Sequence, residues 1–217
     1  MRFKFAFIVL LIVLFELCFE LGAAKLSKKI RLKILKQQNK IRSKVARGKF
    51  ANGTSGKNLP RALYLYKLTY SKKLEKKAAK LAKTCVFTQS KATNIFAVPG
   101  TVKPVPALKN ATKTWASELK NTTLPSLTYT QQNGTGNFTQ LIWGNSRKIG
   151  CAVQQCANLT GSSINGTSTF VVCKYSPSGN VVGKKIYKKW KKPKIVCPKS
   201  FHWDPKTKLC KKVIRFG

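Results

Sequence analysis

Acidic residues are nearly missing from this chain. Five Asp and Glu stand against 43 Lys and Arg in 217 residues, a formal net charge of +38. Beyond residue 24 the only carboxylate side chains are Glu75, Glu118 and Asp204. So widely scattered, they exclude a dedicated calcium cage, which needs several converging oxygen ligands. Histidine is scarcer still. His202 is the only one, so the Ser–His and Cys–His pairs of nucleophilic catalysis have no base over most of the sequence. Long apolar runs are confined to the start, and no later stretch is expected to span a bilayer.

What is abundant is lysine, 36 residues against 7 arginines. Lysine is a mobile point charge, whereas arginine makes planar two-pronged contacts, so the excess favours diffuse attraction over shape-specific recognition. A chain this basic repels itself and draws partners of dense negative charge. Sulfated glycans and anionic lipid surfaces come first, and nucleic acid last, because the start of the chain points outside the cell. There Arg2 and Lys4 precede the apolar run Ala6–Phe15, and Gly22-Ala23-Ala24 offers small residues for cleavage. Residues 1–24 read as a secretory signal peptide, and the protein as extracellular.

Cys18 falls in that segment. Six cysteines remain, an even number that in an oxidising compartment reads as three disulfides. Ile149-Cys151-Val153 and Val171-Cys173-Tyr175 alternate as two strands. If Cys151 faces Cys173, then Val153 faces Val171 and Ile149 faces Tyr175, with the turn centred on Ser162. That antiparallel register brings the two cysteines within bonding reach. The tail after Gly183 is too small for its own core, and a Cys197–Cys210 staple would order it.

Helical spacing predicts three helices: Leu26–Ala46 with Ile30, Ile34, Ile41 and Val45 on its stripe, Tyr70–Cys85, and one starting just after Pro106. The first suits docking on a core, although a basic amphipathic helix is also a membrane-surface pattern. Thr139–Asn145 is expected as a short helix and Pro99–Pro106 as a loop that could border a pocket. Residues 25–183 read as the main domain and 184–217 as a Lys-rich extension. Within it Lys184, Lys185, Lys188, Lys189, Lys191, Lys192 and Lys194 surround Trp190, a candidate polyanion site in which the indole could enter an interface. Asn52, Asn110, Asn121, Asn133, Asn158 and Asn165 are candidate glycosylation acceptors. Asn137 fits the pattern too but lies in a segment expected to be buried.

Two segments carry a resemblance. Gly136-Asn137-Phe138-Thr139-Gln140-Leu141-Ile142-Trp143 with Gly150-Cys151, and Phe170–Asn180, are similar to the two signatures of the CAP superfamily of cysteine-rich secretory, antigen 5 and pathogenesis-related proteins. Gln38-Asn39-Lys40-Ile41-Arg42-Ser43 resembles the family's first-helix segment, and Val45-Ala46-Arg47-Gly48 continues it in the style of nematode venom-allergen-like members. The resemblance spans roughly residues 28 to 183. It implies an α+β fold, a three-layer α-β-α sandwich, and the pairing Cys85–Cys156. It agrees with Cys151–Cys173. Many family members hold a divalent metal with two histidines and two glutamates. The corresponding positions here are Gln89, Thr93, Glu118 and Asn137, so three of the four have lost the usual ligand type, and neither cofactor nor metal is expected. The resemblance also permits sterol or fatty-acid binding. A cationic, membrane-active defence protein is a further alternative to a non-enzymatic polyanion binder.

Overall fold

The computed structural model describes residues 23–131, 134–191 and 197–213. Residues 1–22 of the expected signal peptide, Asn133, Lys192 and Lys194 lie outside the described residues. Helix α1, Lys28–Ala46, is capped by Ser27, whose hydroxyl accepts from the Ile30 N–H. It is followed by strand β1 (Thr69–Tyr70), helix α2 (Lys72–Ala82), strand β2 (Thr93–Pro99), helix α3 (Pro104–Ser117) and helix α4 (Gly136–Ile142). Strands β3 (Lys148–Cys156) and β4 (Ser168–Ser176) come next, then a small hairpin, β5 (Phe201–Asp204) and β6 (Leu209–Lys212).

The main sheet runs β1-β3-β4-β2, with β1 parallel to β3 and the other pairs antiparallel. Cys151 faces Cys173, Val153 faces Val171 and Ile149 faces Tyr175, the register expected from cysteine spacing. Because side chains alternate along a strand, the sheet feeds two cores. Cys151, Val153, Val171 and Cys173 join Ile34, Trp115 and Phe138 under α1, α3 and α4. Ala152, Phe170 and Val172 join Ala78 and Ala82 under α2. The result is the three-layer α-β-α sandwich. The disulfides are Cys85–Cys156, Cys151–Cys173 and Cys197–Cys210.

Several boundaries differ from expectation for local reasons. Helix α2 begins at Lys72 rather than Tyr70, because Tyr70 pairs in β1 and Ser71 caps the helix through the Leu74 N–H. Helix α3 starts at Pro104, not after Pro106. Both prolines sit in the first turn, where backbone N–H groups have no intrahelical partner to lose. Helix α4 spans Gly136–Ile142 instead of 139–145. Strand β2 escaped the sequence pattern because Ile95 faces one core and Phe96 the other, so it shows no polar face.

The two signature segments bond to each other. Gly179 N–H donates to Gln140 Oε1, Thr139 Oγ1 donates to Asn180 Oδ1, and Asn180 Nδ2 donates to the Gly136 carbonyl. Gly150 lies against the start of α2. A Cβ there would come within 2.2 Å of the Glu75 backbone nitrogen, so only glycine lets helix and sheet approach this closely.

The tail is not a free appendage. Ile186 and Tyr187 are buried in the larger core, so the boundary drawn at Gly183 crosses a segment that packs with the main domain. The β5–β6 hairpin is docked by the Cys210 N–H donating to the Leu65 carbonyl, by the Lys67 N–H donating to the Cys210 carbonyl, and by the Lys67–Asp204 ion pair at 3.0 Å.

Candidate functional site

The four positions where the resemblance places metal ligands come from separate elements and are occupied otherwise. Gln89 is exposed on the loop before β2 and donates through Nε2 to the Thr93 carbonyl at 2.6 Å. Thr93 is buried, but its hydroxyl turns back on its own loop, donating to the Ser90 carbonyl and accepting from the Ser90 N–H. Glu118, at the end of α3, accepts from Asn137 Nδ2 at one oxygen and from the Phe138 N–H at the other, each at 2.7 Å. Asn137 Oδ1 accepts from the Ile95 N–H. This donor set does not fit a divalent cation. It contains one carboxylate with both oxygens spent on hydrogen bonds, no imidazole, and a hydroxyl aimed elsewhere. Among the described residues no group of three or more His, Cys, Asp or Glu converges. His202 stands exposed on β5.

Burial pushes the Glu118 carboxyl above its ordinary range, while the Asn137 amide and the Phe138 N–H pull it part of the way back. The folded protein therefore holds this proton to higher pH than the unfolded chain does. Its contribution is fully present below the ordinary carboxylate value and is lost as pH rises through the raised one. Glu118→Gln should remove that part of the pH dependence. Urea unfolding followed from acid to neutral pH checks this, and an unchanged slope would assign the dependence to another group.

The polyanion candidates are partly brought together. Lys184, Lys185, Lys188, Lys189 and Lys191 are exposed along an ordered segment. Trp190 corrects the sequence reading: its ring is half-buried and covered by the Arg61 guanidinium at 4.6 Å, so it is not free to enter an interface. The described carboxylates are engaged elsewhere, Glu75 with Arg31, Asp204 with Lys67 and Glu118 with Asn137. None remains to neutralise the lysine run.

A groove of about 930 Å³ opens between α1 and α3. Ile41, Phe50 and Leu119 form its apolar side, and Lys44, Lys49 and Lys113 stand at its rim. The Pro99–Pro106 loop does not line it. The sequence had no signal for this groove, since its walls lie far apart along the chain. Among the acceptor candidates Asn110, Asn121, Asn158 and Asn165 are exposed, while Asn52 uses both ends of its amide on Leu124. The Asn137 amide is engaged with Glu118.

Comparison with known proteins agrees with this architecture. A family model described as the cysteine-rich secretory protein family, CAP, matches residues 35–175. Venom allergen 5 of Vespa velutina is 29% identical over 176 residues, covering 77% of this chain and 84% of its own. The crystal structure of NaASP2 with Zn2+ is 33% identical, covers 76% of this chain and 88% of its own, and superposes with a TM-score of 0.68. The structure of BmVAL-1 is 30% identical, covers 88% of this chain and 98% of its own, and gives a TM-score of 0.70. With its two signatures hydrogen-bonded across a three-layer sandwich, this chain belongs to the cysteine-rich secretory protein (CAP) family.

Proposed function

We propose that this protein is a secreted, non-enzymatic CAP protein that binds polyanions, either sulfated glycans or anionic lipid surfaces, through its lysine-rich surface. One observation carries the reading: the lysines from 184 to 191 are exposed on a fixed backbone, and every described carboxylate is engaged elsewhere. Counterions must accompany such a surface, and their release on contact with a polyanion drives binding. Secretion is supported by the three disulfides, by the signal-like start of the sequence, and by a venom protein among the relatives. Among the described residues no helix is long and apolar enough to cross a membrane. The absence of an enzyme's machinery is supported by the six paired cysteines and by the lack of histidine throughout the matched region.

The full chain should be retained on immobilised heparin and elute only well above physiological salt, with a steep dependence of affinity on salt. Replacing the seven lysines of 184–194 by glutamine should lower the eluting salt. Elution at or below physiological salt overturns the reading. A second reading is favoured by the α1–α3 groove, whose apolar side and lysine rim suit a fatty acid. The two separate by salt: saturable fatty-acid binding indifferent to ionic strength, alongside weak heparin retention, favours the second.

A further inference from the structure

A second groove, of about 630 Å³, lies where the segment after Gly183 crosses the body of the molecule. Its charged wall is assembled from two separate stretches of chain. Arg147, just before β3, meets Lys184, Lys185 and Lys188. Tyr64 and Tyr66 also line it, their rings edge to face with centroids 5.6 Å apart. No Asp or Glu lines this groove.

The lysines are held in place from beneath. The Lys184 carbonyl accepts from the Tyr129 N–H, Ile186 is bonded on both sides, to Leu127 and Gly144, and the Lys188 carbonyl accepts from the Leu63 N–H. Ile186 and Tyr187 are buried between the exposed lysines, so the stretch forms a rigid ledge from which cations project. The Arg147 guanidinium stands 5.5 Å from the centre of the Tyr66 ring and donates to no protein acceptor among the described residues.

We infer that this groove is a discrete subsite for a short sulfated oligosaccharide, in which Arg147, Lys184, Lys185 and Lys188 hold sulfates while the half-buried Tyr64 receives the sugar ring and the buried Tyr66, packed on Phe201, backs Arg147. The inference rests on the polyanion reading and locates its specific part. A sulfated sugar presents two chemistries side by side. Its charged groups seek cations, and its slightly positive C–H face seeks the electron-rich face of an aromatic ring. Arginine adds two-pronged contacts that lysine cannot make. The ledge fixes the backbone beneath these lysines, so only their side chains are ordered on binding, which favours a defined site over a diffuse halo. The α1–α3 groove has one aromatic, Phe50, beside its lysines but no arginine among its lining residues.

The test uses the full chain and a size-defined heparin tetrasaccharide, with affinity measured by calorimetry. Lys185→Gln with Lys188→Gln should weaken binding about tenfold, as expected when charged contacts of a specific site are removed. The charge-matched pair Lys76→Gln with Lys80→Gln, exposed on α2, should change it less than about threefold, as for screened surface charges. Tyr64→Ala should weaken tetrasaccharide binding without changing its salt dependence, because it removes no charge. Equal losses in the two lysine pairs overturn the subsite and leave a diffuse surface. Phosphatidylserine vesicles competing as well as the tetrasaccharide overturn the sulfated ligand. Wild-type protein held by long heparin but not by the tetrasaccharide defeats the subsite alone, whereas failure on long heparin defeats the polyanion reading itself.

Discussion

Arg42→Met should destabilise the protein by about 3–5 kcal/mol, the cost of removing one side of a buried, charged hydrogen-bond cluster. The guanidinium is fully buried and has no carboxylate partner. Instead Nε donates to the Tyr66 carbonyl, Nη1 to those of Leu141 and Trp143, and Nη2 to that of Ser146, at 2.8 to 3.2 Å. Two of these carbonyls stand at the end of α4, where the helix leaves them unpaired and its dipole is negative. Burial lowers the guanidinium to about 9, so it remains charged at neutral pH and those dipoles are its compensation. Truncation would orphan the carbonyls of Tyr66, Leu141 and Ser146 at once, leave that of Trp143 with only the Ser146 N–H, and uncouple α1 from α4. Arg42→Lys keeps the charge, but a single ammonium cannot span the same set, so about half the loss should remain. Urea unfolding measures both. For a chain of this size the methionine variant should melt roughly 10 °C lower. A loss below about 1 kcal/mol, the scale of an ordinary substitution, would mean that water replaces the guanidinium at little cost.

Removing the Cys85–Cys156 disulfide is the second large effect. The bond closes 71 residues of chain and joins the segment after α2 to the end of β3. Freeing a loop of that length should cost about 4 kcal/mol through the entropy regained by the unfolded chain. That is a large share of the 5–15 kcal/mol that holds a typical domain together. Cys85→Ala with Cys156→Ala should therefore lower the urea midpoint strongly and bring amide exchange in α2 close to that of global unfolding. The Cys197–Cys210 bond closes only 13 residues. Its loss should loosen the β5–β6 hairpin first, since the β3–β4 pair and its own disulfide stand apart from it. Equal and global losses for the two bonds would show that the hairpin folds as one unit with the sandwich.

The resemblance carried by residues 38–43 acquires a physical meaning in the fold. Gln38 Oε1 accepts from the Tyr175 hydroxyl, Asn39 pairs with both backbone groups of Leu68, and Arg42 gathers four carbonyls. These residues tie α1 to the loop before β1 and to the sheet. Periodicity marked only the apolar members of the helix, Ile30, Ile34, Ile41 and Val45, because polar residues on a helix usually face water. Nothing local in the sequence distinguishes a lysine that faces water from an arginine that gathers carbonyls. The cleft positions behave likewise. That Gln89, Thr93 and Asn137 are poor metal ligands was legible from residue type, whereas the capture of both Glu118 oxygens by Asn137 and Phe138 was not.

The amino-acid order alone determined the charge, the apolar stripes of the helices, the pairing of Cys151 with Cys173, and the signatures that mark the family. All of these depend on composition or on spacing along one or two elements. Tertiary structure decided where polar side chains are buried, where the tail docks, and which cations meet at a groove. Tyr64, Tyr66, Arg147 and the ledge at 184–188 are remote in sequence. Only the packing of Ile186 and Tyr187 into the shared core brings them together, because long-range contacts set such positions and leave no periodic trace in the chain.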